Sequence, residues 1–377
     1  MLQTLHLRGF RGFDSYRLTG LARVNLVVGK NNCGKTSILE AIELLVSEGD
    51  PRVIYNSLRR RGEYDLRRPS PRERIDVSHV FHGHACTPGA RFDLSSHDDN
   101  RTLKVTILSL DDVDEEADDW NLASRKWGQM SILLDRDEDV TPAPVFGMIM
   151  DIGMIMDRGD AERKIMLPVM EDGTLMIKHM RYHRSVRNGH PGTPVHFLAL
   201  DGFDPTSMGG MWNTVLEEGI EAEIVSDMRL LEPKINSIHF PSSRSGGSIL
   251  IGLENVKRRL PINTYGDGMR RLLALRLSFV GAKGGVLLID EIDTGLHWTV
   301  MEEMWQFVVE VAKRLNVQVF ATTHSYDCIR GLGSLIRNHP DLEDQVSLQK
   351  MDRLLPEGVC LKGDQIKVAV EQDIEVR

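Results

Sequence analysis

Three short segments carry residues whose types and spacing could do chemistry together. The first is Gly29-Lys30-Asn31-Asn32-Cys33-Gly34-Lys35-Thr36, with the spacing G-x-x-x-x-G-K-T. Glycines at these positions let backbone N–H groups approach phosphate oxygens without side-chain obstruction. Lys35 is placed to hold β- and γ-phosphates and the Thr36 hydroxyl to ligate Mg²⁺, while Gly29, Asn31, Asn32, Cys33, Gly34 and Ser37 complete the nucleotide-binding set. The second segment, Val286-Leu287-Leu288-Ile289-Asp290-Glu291, ends an apolar run in two carboxylates. Asp290 then positions the metal, directly or through water, and Glu291 is the candidate that polarises an attacking water. The third, Ala321-Thr322-Thr323-His324-Ser325, puts an imidazole at the tip of another apolar run, where it can hydrogen-bond the γ-phosphate or orient the water. Alone, such a histidine is more often structural; following a phosphate loop and an acidic strand end, His324 takes a switch role. Lys35, Glu291 and His324 are the expected catalytic set, with Thr36 and Asp290 as metal ligands.

The surrounding pattern supplies elements to hold these segments. Val24-Asn25-Leu26-Val27-Val28 reads as a buried strand running into Gly29, and Ile38, Leu39, Ile42, Leu45 and Val46 recur at helical spacing after Thr36. The last third alternates likewise, with helices expected at residues 270–280 and 300–315 and buried strands at 286–289 and 317–322. Between these regions the pattern changes. Thr102-Leu103-Lys104-Val105-Thr106-Ile107-Leu108 and residues 163–169 alternate like strands, and Gly147-Met148-Ile149-Met150-Asp151-Ile152, nearly repeated by the next six residues, reads as a Met-rich strand or hairpin core. Residues 216–231 suggest one helix, and residues 242–248 a polar loop. The expected organisation is an α/β core from residues 1–48 and 238–335, a β-rich insertion at 49–237, a tail at 336–377, and no long coiled coil.

Composition sets outer bounds. With 41% hydrophobic and 27% charged residues and no long apolar run, a soluble chain without a membrane span is expected. The four cysteines are scattered and Cys33 lies inside the phosphate loop, which argues against a disulfide framework and for the cytoplasm. A net charge of -9 excludes a surface that binds nucleic acid everywhere but leaves room for a local basic face.

Taken together, the three segments, with Asp293-Thr294-Gly295-Leu296-His297 behind the second, resemble the P-loop ABC-type ATPase heads of the SMC, RecF and OLD-like branch. The resemblance covers residues 1 to about 48 and about 240 to 330, and includes the opening Leu7-Arg8-Gly9-Phe10-Arg11-Gly12-Phe13. It implies ATP as the nucleotide, and heads that pair around two ATP molecules with a signature loop of one copy capping the nucleotide of the other. Tyr265-Gly266-Asp267-Gly268-Met269-Arg270-Arg271 resembles a variant of that loop. The usual serine falls on Gly266, so the resemblance assigns the contact in trans to Gly266, Asp267, Gly268, Arg270 and Arg271, with a guanidinium replacing the hydroxyl. The Leu296-His297 ending and the lack of coiled coils point to the OLD-like group. Full-length members carry a Toprim nuclease domain, and the residues after His324 hold no evident acidic nuclease cluster, so no such domain is expected in them. Short OLD-like ATPases often act with a separately encoded effector, frequently a nuclease, in defence against phage, and that role is what the resemblance implies. A RecF-like repair clamp binding DNA directly is the alternative.

Weaker constellations keep two readings each. Eight arginines stand against three acids over residues 52–74, so Arg59, Arg60, Arg61, Arg67 and Arg68, extended by Arg8 and Arg11, are either a phosphate-backbone contact or else a solvated loop or an interface to an acidic partner. His79, His82, His84 and Cys86 would share one side of a strand as a zinc site, or be ordinary hydrogen-bonded residues. The acidic residues 111–119 are a repelling loop or a partner-docking segment.

Overall fold

The structure, a computed structural model, describes residues 1–63, 74–109, 146–156, 159–176, 192–199, 205–241 and 249–376. It forms two compact units, one of Met1–Gln3, Leu18–Leu39 and Thr193–Arg377, the other of Thr4–Arg17 and Glu40–Gly192.

The second unit holds a six-stranded antiparallel sheet in the order β2 (Phe13–Leu18), β1 (Leu5–Phe10), β5 (Arg91–Ser96), β6 (Arg101–Ser109), β7 (Phe146–Met156) and β8 (Gly159–Val169). Strict alternation puts Leu103, Val105 and Ile107 of β6 inward beside Met148 and Met150 of β7. The methionine repeat is therefore one strand of the β7–β8 hairpin. A short ribbon of β4 (Arg74–Asp76) and β9 (Thr174–Met176) accompanies the sheet. Helix α2 (Pro51–Arg60), capped by Asp50, occupies the start of the arginine-rich segment, where the sequence suggested a loop. Residues 64–73, including Arg67 and Arg68, and the acidic stretch 111–119 lie outside the described residues.

In the first unit a sheet runs in the order β10 (Val195–Leu198), β14 (Val286–Ile289), β15 (Gln318–Thr322), β3 (Val24–Val28), β16 (Val346–Lys350) and β17 (Val359–Lys362). The strands from β10 to β16 are parallel and β17 closes the edge antiparallel. β3, β14 and β15 are buried along their whole length, as strands covered on both faces must be. Helices α1 (Lys35–Val46), α5 (Asp267–Gly281), α6 (Met301–Arg314), α7 (Tyr326–Asn338) and α8 (Gly363–Glu371) link or flank the strands. A three-stranded sheet of β11 (Ile235–His239), β12 (Leu250–Leu253) and β13 (Leu260–Pro261) leads into α5. Among the described residues the longest helix is α5, at 15 residues, and none is long and apolar enough to cross a membrane.

Three expectations need correction. The helix expected over residues 216–231 is two, α3 (Pro205–Glu218) and α4 (Glu221–Met228), because Gly219 takes φ +69° and ends the first. Residues 336–377 are not a tail appended to the core, since β16 pairs directly with β3. Strand β10, assigned to the insertion, pairs with β14 in the same sheet.

Candidate nucleotide site

Between β3 and α1 the backbone turns through glycine. Gly29 has φ +153° and Gly34 φ +98°, and a Cβ on Gly29 would stand 2.7 Å from Cys33 Sγ and 2.8 Å from the Met351 carbonyl oxygen. No larger residue fits there without displacing backbone. Lys35 begins α1 with its ammonium turned back over the loop, donating to Gly29 O at 2.9 Å and Lys30 O at 3.1 Å. Its burial pushes the ammonium pKa down, opposed by Cys33, Asp290 and Glu291.

Parallel pairing of β14 with β15, and of β15 with β3, brings the strand tips to this loop. Thr36 Oγ1 donates to Asp290 Oδ2 at 3.1 Å. Thr322, fully buried at the end of β15, donates its hydroxyl to Asp290 Oδ1 at 2.6 Å and accepts the Glu291 N–H at 2.9 Å. His324 stands between the other groups, with Nδ1 3.3 Å from Lys35 Nζ and Nε2 3.7 Å from Glu291 Oε1. His324 and Glu291 are each 39% exposed, so water can reach both. Lys35, Thr36, Asp290, Glu291 and His324 are thus gathered at one edge of one sheet.

The oxygens of Thr36 and Asp290 are hard donors of the kind Mg²⁺ takes when phosphates and water complete its shell. Among the described residues no group of three His, Cys, Asp or Glu side chains could hold a metal without such help. Two contributors carried no role in the sequence. Thr322 was one of two adjacent threonines with nothing to separate them; its neighbour Thr323 turns to Asp293 Oδ1 at 2.5 Å. Arg353, which donates to Asn32 O at 3.3 Å, comes from 321 residues away with no local signal.

Residues 266–271 divide. Gly266, at φ +83°, precedes α5, and a Cβ on Gly268 would lie 2.8 Å from Gly295 O. Arg270 pairs with Asp267 at 3.2 Å. Arg271 contradicts the contact in trans expected of it. It is buried, and donates to Ala199 O at 3.1 Å, Asp290 O at 2.7 Å and Glu291 O at 2.9 Å of its own chain. Consecutive helical residues point about 100° apart, so Arg270 and Arg271 cannot share one face.

The basic face is corrected in the same way. Arg11 is not at a surface: it is 5% exposed, with Nε 2.6 Å from Glu40 Oε2, Nη1 3.1 Å from Glu63 Oε2 and Nη2 2.8 Å from Ser57 Oγ. Arg61 pairs with Glu40 at 2.8 Å and Arg60 with Glu43, whose carboxyl pKa burial pushes up. Arg8 and Arg59 remain exposed. In the first unit, Lys257, Arg258 and Arg259 on the turn between β12 and β13 are exposed and make no ion pair with the described residues. The histidine cluster does not lie on a strand but on two 3₁₀ turns, Val77–Val80 and His82–His84, because Gly83 takes φ +77°. His79 Nδ1 meets His84 Nδ1 at 3.2 Å, His82 bonds to Arg11 O at 3.0 Å, and burial pushes the Cys86 thiol up to about 12.

A phosphate loop entering α1, a carboxylate pair at the tip of β14 and a histidine beyond β15 make up the site of a P-loop ATPase. Comparison with known proteins agrees. A family model described as "AAA ATPase domain" matches residues 1–121, and one described as "AAA domain, putative AbiEii toxin, Type IV TA system" matches residues 200–327. An ATP/GTP phosphatase of Helicobacter pylori is 21% identical over 97% of this chain and 93% of its own length. A stretch of 46 residues is 46% identical to the DNA replication and repair protein RecF of a Picosynechococcus species, covering 12% of each chain. Among solved structures, an Smc head bound to the C-terminal winged-helix domain of ScpA is similar at TM-score 0.46 and 15% identity, covering 96% of this chain and 98% of that one. The chain is an ATPase.

Proposed function

We propose that this ATPase is a nucleotide-driven switch that pairs with a second copy through ATP and controls a separately encoded effector, a nuclease of the Toprim type, in an OLD-like system of defence against phage. The convergence of Lys35, Thr36, Asp290, Glu291 and His324 at one sheet edge is the observation that carries the switch. Residues 29–37 bind the triphosphate, and Lys35 meets its β- and γ-oxygens. Thr36 and Asp290 would hold Mg²⁺, which neutralises phosphate charge when bound. Glu291 accepts a proton from the attacking water, and His324, within reach of both Lys35 and Glu291, senses the γ-phosphate. Contacts to that phosphate favour the paired state and its release removes the preference, so hydrolysis resets the switch. The family matched over residues 200–327, described as a putative toxin of a toxin–antitoxin system, supports a defence setting, and we place the protein in the cytoplasm.

Glu291→Gln, which keeps the shape and loses the base, lowers turnover about 10²–10⁴-fold and traps the ATP-bound pair. Capture of that variant from native cells tests the assignment: a stoichiometric nuclease or toxin supports it, and DNA with repair factors alone overturns it. The second reading, a RecF-like clamp that binds DNA directly, is favoured by the exposed cations at residues 257–259, which make no ion pair with the described residues.

A further inference from the structure

The contacts of Arg271 reach further than a helix-to-sheet strut requires. Glu291 has φ +49°, a left-handed conformation that few residues other than glycine adopt. Its backbone is held from both sides. The N–H is taken by Thr322 Oγ1 at 2.9 Å, and the carbonyl accepts from Arg271 Nη2 at 2.9 Å and from the Thr294 N–H at 3.2 Å. The same Nη2 reaches Asp290 O at 2.7 Å, and Nη1 reaches Ala199 O, beyond β10, at 3.1 Å.

The guanidinium reaches the three carbonyls from two separate nitrogens held in one rigid plane, whereas a lysine ammonium has all its donors on one atom. Burying a guanidinium is costly, and an apolar side chain of similar volume would pack such a position at less expense. A charge kept here serves the groups it touches. Arg271 also belongs to α5, whose first turn leans on residues 293–296: a Cβ on Gly268 would meet Gly295 O at 2.8 Å, and one on Gly295 would meet Asp267 Cβ at 3.3 Å. A shift of that turn carries the guanidinium, and with it the strained backbone of Glu291.

We infer that Arg271 is a positioning residue that holds the Glu291 backbone in its left-handed conformation and so aims the water-polarising carboxylate, making turnover responsive to whatever engages residues 266–270. The inference rests on Glu291 being the base. Its test is a double-mutant cycle on the full chain with Arg271→Gln and Glu291→Gln. The readouts are steady-state turnover, single-turnover release of labelled phosphate from γ-labelled ATP, equilibrium binding of a fluorescent ATP analogue, and melting temperature.

Arg271→Gln is expected to lower kcat about 10–100-fold, the usual effect of losing the support behind a catalytic group, while nucleotide affinity stays within about two-fold. In the Glu291→Gln background it is expected to cause no further loss of the residual rate. Wild-type turnover in Arg271→Gln, beside a Glu291→Gln variant that has lost activity, overturns the inference and leaves the base in place. Equal losses in both backgrounds, or parallel falls in affinity and melting temperature, also overturn it by showing a general structural role. Wild-type turnover in Glu291→Gln removes the base itself and the inference with it. If Arg271→Gln does not fold, Arg271→Lys, which keeps the charge and loses the fork, enters the same cycle.

Discussion

Arg11 offers a quantitative way to separate two roles for a cation. As part of a nucleic-acid face it would be replaceable without cost to folding; as the buried partner of Glu40, Glu63 and Ser57 it would not. The side chains of Arg11 and Glu40 are 5% and 2% exposed, and Glu40 is held by both Arg11 and Arg61. Arg11→Ala removes the inner cation and leaves the buried Glu40 carboxylate with Arg61, itself 31% exposed. Breaking a buried pair from one side costs about 3–5 kcal/mol, because the remaining charge is left desolvated. For a folding unit of 150–250 residues each kcal/mol shifts Tm by about 2–4 °C, so Arg11→Ala is expected to lower the melting point by about 6–20 °C. Adding Glu40→Gln to Arg11→Ala should restore part of the loss, because the stranded charge is then gone. The measurement is thermal unfolding at low and high salt, and the shift should survive high salt because the pair is shielded from solvent. A fall of under about 1 kcal/mol, the range of an exposed ion pair, together with weakened DNA binding would refute the reasoning and return Arg11 to a surface role.

Two further predictions follow from the same geometry. Thr322→Val keeps the shape at the end of β15 but leaves Asp290 Oδ1 and the Glu291 N–H without the hydroxyl between them; it should lower ATP turnover about 10–100-fold and raise the Mg²⁺ concentration needed for half-maximal activity, as read in an ATPase assay with titrated Mg²⁺, and an unchanged Mg²⁺ requirement would sink it. His196 in β10 has its pKa lowered from 6.5 by burial; the unfolded chain therefore takes up a proton first as pH falls, so the stability present above pH 6.5 is lost on going below it, and the Tm of His196→Gln should decline less than that of the parent between pH 7 and 5.

The parts of the fold that could be read in the sequence are those in which local pattern and tertiary role agree. β3, β14 and β15 are short apolar runs because both faces are covered, and the glycines beside β3 mark a loop that no side chain could enter. Strand β16 is just as buried yet stayed hidden, since its five residues, Val346-Ser347-Leu348-Gln349-Lys350, include two buried polar side chains. Each donates to a partner far away in the chain: Ser347 Oγ to Asn25 Oδ1 at 2.8 Å, and Gln349 Nε2 to Thr19 O at 3.1 Å. Hydrophobic periodicity cannot register a strand whose burial depends on hydrogen bonds to partners more than 300 residues distant. The arginines of residues 52–61 misled for the same reason. Their count was visible, but the pairing of Arg60 with Glu43 and of Arg61 with Glu40 depends on how α1 and α2 pack.

The residues of the candidate site divide along this line too. Lys35 and Thr36 are set by adjacency, and Asp290 and Glu291 by their place at the end of an apolar run, so spacing alone was enough to nominate them. The groups that orient them are set by strand order. Thr322 reaches Asp290 because β15 lies beside β14, and Arg271 reaches the backbone of Asp290 and Glu291 from the start of α5, 19 and 20 residues before them in the chain. A neighbour in sequence, Arg270, with the same charge and one step of helical phase, turns instead to Asp267. Nomination by motif therefore names the groups expected to meet the nucleotide, whereas the residues that hold those groups in place become visible only once the topology is known.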